Sequence, residues 1–334
     1  MSVAVAVSFY IQTFYFGLPF IFLLRFHTNN FNTLSDKQMK KERERALKET
    51  FDKHIVQKEA VHQKKTAAKE LAKQHPNKVA AAVFDLQQVI YLPISKESAI
   101  FYKCLLNYNF TIYNIGIKHC LCFLWHEAIS RRGSCEKATC LAKFLQILDR
   151  EGKEEVHLFS DGAAGQNKNN IVITMLLYVL RHSTSLHSIT LNFFELNHGQ
   201  SEGDSANSAI STALSHSGDV FMPCQLPPII TLARRASPYE VREMQSNEFL
   251  DYKKFSEVIR IKTIKFFDSG QPVNWKEIRE VFVTKEDVNC IYIKNSHTDA
   301  TYGRLSLKRQ ALDCMKHGVS KLNSSPPPLA YEKY

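Results

Sequence analysis

No Cys-x-x-Cys pair occurs in the chain, and its eight cysteines are scattered over 334 residues. That spacing excludes the disulfide framework of a small secreted domain, and reduced thiols in a cytosolic or nuclear compartment are expected. The phosphate-cradling P-loop, the dinucleotide fingerprint and the Gly-x-Ser-x-Gly elbow are also missing. P-loop phosphoryl transfer, Rossmann-type redox chemistry and α/β-hydrolase catalysis are therefore without support. No zinc-finger or helix-turn-helix module offers itself for reading DNA sequence. Residues 37–74 contain neither Gly nor Pro, and residues 3–24 carry no charge.

What is present argues for a folded chain with a polyanionic partner. Hydrophobic residues make up 44% of the sequence against 23% charged, enough apolar side chain for a sizeable core. The formal net charge of +10 favours nucleic acid or an acidic membrane surface.

Residues 1–33 read as an apolar leader. The uncharged stretch 3–24 has about the length that crosses a bilayer core. Gln12, Thr13, Gly17 and Pro19 interrupt it, and no Lys or Arg precedes it as a secretory signal would require. It stands either as a membrane anchor, with Arg25 keeping the bulk of the chain cytosolic, or as a leader produced by a misplaced start. Residues 34–75 then read as a basic helical arm, rich in Lys, Arg, Glu, Gln and Ala, with N-cap candidates at Ser35 and Asp36 and a stop at Pro76. Met39, Leu47, Phe51, Ile55 and Val56 form only a narrow apolar stripe. Charges of both signs are interspersed, which favours a solvated helical linker over an arm laid on nucleic acid.

From 76 to 217 strand and helix patterns follow one another. Strands are expected at 79–84, continued by 89–92 up to Pro93, then at 110–117 and 119–125. Helices at 135–148, 171–180 and 205–214 alternate with strands at 155–160 and 188–196. The order predicts an α/β core with a mixed five-stranded sheet flanked by helices. Residues 218–322 read as a small C-terminal α+β extension. It opens with a rigid proline connector at 222–228 and a short helix at 237–241, and places strands near 261–267, 280–284 and 290–294. Residues 323–334 are a Pro-rich tail.

Carboxylates stand at the ends of these strands. Phe84-Asp85-Leu86-Gln87-Gln88 closes the first strand, and Phe159-Ser160-Asp161-Gly162 closes the fourth. His198-Gly199-Gln200-Ser201-Glu202-Gly203-Asp204 leads from the fifth into a helix. A single Asp at a strand end is commonly a cap or turn residue. Recurring at three strand ends of one sheet, such carboxylates can hold Mg²⁺ or Mn²⁺, hard cations that take oxygen ligands and serve phosphodiester chemistry. Asp85 and Asp161 are the candidates to share one ion, with Asp204 or Glu202 completing a second site. Residues two apart on a helix face differently, so one of the latter is favoured, Asp204. Gln166 and Asn167 are candidates to bind phosphate or orient water, Lys168 to neutralise phosphate, and His198 to act as donor or general acid or base. Glu127 stands in reserve as a ligand or a surface salt-bridge residue. His119, Cys120, Cys122 and His126, with Cys135 and Cys140, have ligand types suited to zinc without its paired spacing, and buried thiols are expected there instead.

This strand order and acid placement look like the RNase H-like catalytic core, shared by retroviral-type integrases, cut-and-paste transposases and Holliday-junction resolvases. More closely, three motifs together with Trp125-His126-Glu127-x-x-x-x-Arg132-Gly133 and Met222-Pro223-x-Gln225-Leu226-Pro227-Pro228 resemble a transposon-derived family of animal genomes. The three are Phe84-Asp85-Leu86-Gln87-Gln88-Val89, Ser160-Asp161 through Gly165-Gln166-Asn167-Lys168-Asn169, and His198-x-Gln200-x-Glu202-Gly203-Asp204-Ser205-Ala206. That family is named only as domain of unknown function 7869, and the resemblance spans about residues 79–255. It implies a metal-dependent nuclease or transposase-like ancestry with DNA as partner and Asp85, Asp161 and Asp204 as metal ligands. Asn207 stands where that family usually has His, Ser211 where it has an acid, and Ala163-Ala164 where it has Cys-Gly. Such changes strip polar groups from the site, as expected of a decayed or domesticated copy. Two other classes remain open: a descendant that grips nucleic acid without cleaving it, and a membrane-tethered interaction protein resting on residues 3–24.

Overall fold

The computed structural model describes residues 36–95, 104–161, 169–195 and 202–329. The leader with its membrane reading, residues 3–24, lies outside them. Among the described residues no helix is long and apolar enough to cross a membrane. The chain divides into two compact units, Met1–His54 and Ile55–Tyr334.

Of the first unit, the described residues are the opening turns of helix α1 (Asp36–Gln74). Residues 40–53 are all exposed, including Leu47 and Phe51 of the narrow stripe. The second unit begins within the same helix. From Ile55 onward α1 is no solvated linker: Val61, Ala68 and Ala72 are buried, small or β-branched side chains spaced to share one face.

The second unit is α/β, built on a mixed ten-stranded sheet where five strands were expected. Its centre is β1 (Val79–Leu86), antiparallel to β3 (Leu105–Asn114) and parallel to β5 (Glu155–Asp161). Beyond β3 lies antiparallel β4 (His119–His126), and beyond β5 lies parallel β6 (Ser188–Phe194). These are the five strands read from the sequence, in the spatial order β4-β3-β1-β5-β6.

The remaining strands widen the same sheet. The run after Gln88 does not continue β1; it is a separate strand, β2 (Ile90–Leu92), paired with β3. Beside β4 lies parallel β7 (Glu240–Glu243), where a helix was expected. On the far side of β6, β8 (Glu280–Thr284), β9 (Cys290–Lys294) and β10 (Gly303–Ser306) add an antiparallel meander. The C-terminal segment thus supplies edge strands to the central sheet, because each of its short strands needs a partner ladder that it cannot make alone. The strand expected near 261–267 is instead a 3₁₀ turn at Ile261–Thr263 and an isolated bridge between Phe266 and Pro272.

Alternation along β1 feeds two cores. Ala80, Ala82 and Phe84 face α2 (Ser134–Arg150), α3 (Asn170–His182) and α6 (Tyr252–Ile259), meeting Leu141, Leu145, Met175 and Leu176 in one apolar cluster. Val79, Ala81 and Val83 face the opposite layer, with Val61 and Ala68 of α1, Ala206 and Ile210 of α4 (Glu202–His216), and Leu226 and Ile230 of α5 (Leu226–Leu232). Covered on both sides, the central strand carries no outward polar face until its last residues. The proline connector at 222–228 is a 3₁₀ turn running into α5. Pro227 and Pro228 occupy its first turn, where a missing N–H leaves no helical hydrogen bond unmade.

All eight cysteines are free thiols. Cys120 and Cys122 lie on one face of β4 with their sulfurs 3.9 Å apart, while His119 pairs with Glu240 at 3.2 Å instead of turning towards them.

Candidate functional site

The parallel strands β1, β5 and β6 end on one edge of the sheet, the edge at which open α/β sheets hold ligands. Val83 is opposite Phe159 and Phe84 opposite Ser160, so the next step of the register sets Asp85 beside Asp161 on strands about 4.8 Å apart. Val83 and Phe159 both point into the α1/α4 layer. Two residues further along each strand, Asp85 and Asp161 face the same way. The row continues sideways, since Asp85 is opposite Thr111, Thr111 opposite Cys122, and Asp161 opposite Phe194.

Helix α4 lies over this row. Asp204 acts electrostatically on Asp85, and Asn207 Nδ2 donates to Asp85 Oδ2 at 3.1 Å. Asp204, Asn207 and Ser211 share a helix face by their i, i+3, i+7 spacing. Glu202, two residues before Asp204, turns to α1 instead: its carboxylate lies 2.9 Å from Lys65 Nζ and 3.7 Å from Lys69 Nζ. Burial works against its charge, but these lysines hold the carboxyl below its ordinary range. Asp85 is thus beside Asp161 in the ladder and within electrostatic reach of Asp204, whereas Glu202 is drawn to helix α1.

Burial, reinforced by Asp204 and Asp161, pushes the Asp85 carboxyl up to about 6, against the opposing Leu86 amide and the Lys137 ammonium. Lys137, in the first turn of α2, is itself buried and pushed down to about 8 by that burial and by Arg132. Sequence reasoning missed this lysine, because a Lys in an amphipathic helix gives no sign that it turns inward.

It also missed the polar layer behind Asp85. Thr111 Oγ1 donates to Asn207 Oδ1 at 2.8 Å, and Asn109 Nδ2 donates both to Thr111 Oγ1 at 3.1 Å and to Gln87 Oε1 at 2.9 Å. Gln87 Nε2 in turn reaches the Asn207 carbonyl at 3.3 Å and Ser211 Oγ at 3.2 Å. Asn207 and Ser211, read from the sequence as a loss of polar groups, are thus engaged in hydrogen bonds around Asp85 and Gln87. The available signal was their helical spacing from Asp204.

Gln166, Asn167, Lys168 and His198 fall in 162–168 and 196–201, outside the described residues. Asn169, just after the first of these segments, caps α3 by accepting from the Val172 amide at 3.0 Å. Glu127 accepts the Leu106 amide at 2.9 Å.

The motif from Trp125 to Gly133 builds a corner. Trp125 Nε1 donates to the Arg131 carbonyl at 3.1 Å, and Ser130 Oγ donates to Glu136 Oε1 at 2.9 Å. An added Cβ at Gly133 would lie 2.3 Å from Glu136 Oε2, so the buried carboxylate would have to shift. Gly133→Ala is expected to displace this buried carboxylate from Ser130 and destabilise the protein by about 1 to 3 kcal/mol. Urea denaturation checks it, and an unchanged midpoint would show that Glu136 can move aside freely.

A hard divalent cation suits three carboxylates whose mutual repulsion it would relieve. The donor set fits Mg²⁺ or Mn²⁺ in type and charge. In closeness it is looser: among the described residues no three His, Cys, Asp or Glu side chains are gathered tightly enough to hold an ion as they stand. No family model, curated protein or solved structure matches the chain.

Proposed function

We propose that the chain carries an RNase H-like core descended from the transposon-derived family named as domain of unknown function 7869. On this reading Asp85, Asp161 and Asp204 serve metal-dependent cleavage or strand processing of DNA phosphodiesters. The observation that carries it is the placement of Asp85 and Asp161 on register-adjacent ends of the two central parallel strands, with Asp204 set over them from the helix that follows β6. The order β4-β3-β1-β5-β6, with β3 antiparallel to its neighbours, supports the same reading.

Each group then has a chemical task. Asp85, Asp161 and Asp204 supply the oxygen donors, and a divalent ion bound by them contributes charge stabilisation for the attacking and leaving oxygens. Asn207 holds one Asp85 oxygen by its amide. Lys137 keeps positive charge beside the carboxylates, where phosphate would otherwise be repelled.

A second reading, nucleic-acid binding without cleavage, is favoured by the loose spacing of the acidic groups and by the net charge of +10. One experiment separates the two. The purified chain is incubated with end-labelled DNA in Mn²⁺ or in EDTA, and binding is followed across a salt titration. Nicking in Mn²⁺ that EDTA abolishes is the expected result. Binding that is indifferent to EDTA, falls steeply with salt and leaves the DNA intact would reject the nuclease in favour of the second reading.

A further inference from the structure

We infer that Asn207 is a positioning residue for this site, presenting the Asp85 carboxylate to a divalent cation, and that Thr111 fixes the direction in which the Asn207 amide points. The inference rests on the metal-site reading above and adds to it the residues that orient its central ligand.

The hydrogen bonds lead from Asn109 through Thr111 and Asn207 to the Asp85 carboxylate. Asn109 Nδ2 carries two hydrogens and uses them on Gln87 Oε1 and Thr111 Oγ1. With its oxygen accepting from Asn109, the Thr111 hydroxyl directs its one hydrogen to Asn207 Oδ1 at 2.8 Å. That leaves the Asn207 NH₂ facing Asp85 Oδ2 at 3.1 Å, so a donor meets the carboxylate. A flipped amide would set the Asn207 carbonyl oxygen against the Asp85 carboxylate and forfeit the hydrogen bond that Asn207 Oδ1 accepts from Thr111. Gln87 anchors the other side of Asn207 through its backbone carbonyl.

The surroundings make this direction costly to reverse. Thr111 and Asn109 are 0% exposed, Gln87 4% and Asn207 9%, so water does not stand in for a lost partner. The chain of donors runs from β3 through α4 to β1 and ends on the carboxylate. Asp85 gains a fixed orientation, which is what partners behind metal ligands contribute.

The test measures Mn²⁺ affinity by electron paramagnetic resonance on the full chain, at a temperature where each variant is folded by circular dichroism. Asn207→Ala and Thr111→Val are each expected to weaken Mn²⁺ binding by about 10- to 100-fold. Thr111→Ser, which keeps the hydroxyl, is expected to restore it. Thr111→Val touches no carboxylate, so its effect reads the orienting role even if Asn207→Ala fails to fold. Mn²⁺ bound as tightly by Thr111→Val as by the unmodified chain overturns this inference alone. No Mn²⁺ binding by the unmodified chain overturns the metal-site reading together with it.

Discussion

Asp85→Asn is expected to make the metal-free protein more stable at neutral pH while reducing Mn²⁺-dependent nicking to the level of a protein-free control. Burial, Asp204 and Asp161 raise the Asp85 carboxyl from 3.8 to about 6 in the folded chain. A carboxyl raised on folding binds its proton more tightly folded than unfolded. It therefore favours the fold below its unfolded value, and that benefit is lost as pH rises through about 6. A shift of this size corresponds to up to about 3 kcal/mol at pH 7. Asparagine keeps the shape and an oxygen for the Asn207 amide, and removes the charge. The stability gain should appear in EDTA at pH 7 and vanish near pH 4, where the native carboxyl is already neutral. Urea midpoints at the two pH values check it. A variant that is less stable than the parent at pH 7 would show that Asp85 is not held against its neighbours' charge. The opposed effects on stability and activity are what a strained carboxylate cluster predicts and an ordinary strand-end cap does not.

The two central Asp positions are legible in the sequence because each ends a run of apolar residues of strand length. Asp85 and Asp161 close Val79–Leu86 and Glu155–Asp161 respectively, and parallel strands of similar length bring such ends to one edge. Helix geometry says only that Glu202 and Asp204 face differently; it is in the structure that Glu202 turns to Lys65 while Asp204 acts electrostatically on Asp85. Ladder partners are not legible. Residues 280–284 and 290–294 read correctly as strands, but nothing local says that β8 pairs with β6 and extends the central sheet. Ser237 to Val241 reads as a short helix, and pairing of Glu240–Glu243 with β4 overrides that preference. Buried polar partners are equally hidden. Asn109 and Thr111 sit in a β-branched and aromatic strand whose pattern says only that it is buried, and the amide chain to Asp85 forms only after three elements have packed. Lysines of α1 read as solvated because charge runs usually are, yet Lys64, Lys65 and Lys69 are drawn to acids on β8 and α4.

Glu280→Gln is expected to destabilise the protein by about 3 kcal/mol at pH 7. Glu280 is buried on β8, where Lys64 Nζ and Tyr302 Oη donate to it and the His297 ring lies 3.9 Å away. Burial raises its carboxyl, but His297, Lys64 and Tyr302 outweigh that and hold it down at about 2. A depressed carboxyl stabilises the fold above its unfolded value and loses that contribution as pH falls through its folded value. The deficit of the variant should therefore be full above about pH 5 and shrink towards pH 2. Lys64 retains partial access to water, 30% of its side chain, which places the cost at the lower end for a broken buried pair. The same region of α1 is fixed again where the His297 amide donates to Gln57 Oε1 at 2.7 Å, and one residue beyond Lys64, where Lys65 meets Glu202 at the start of α4. Loosening at Glu280 should thus reach the helix that carries Asp204 and Asn207. Amide hydrogen exchange is expected to speed up in residues 55–74 and in the first turn of α4, while β1 and β5 keep their protection. If exchange in α4 is unchanged although α1 is released, the orientation of Asp204 and Asn207 depends on the sheet and its polar layer alone. The lysines of α1 would then serve stability without bearing on the site.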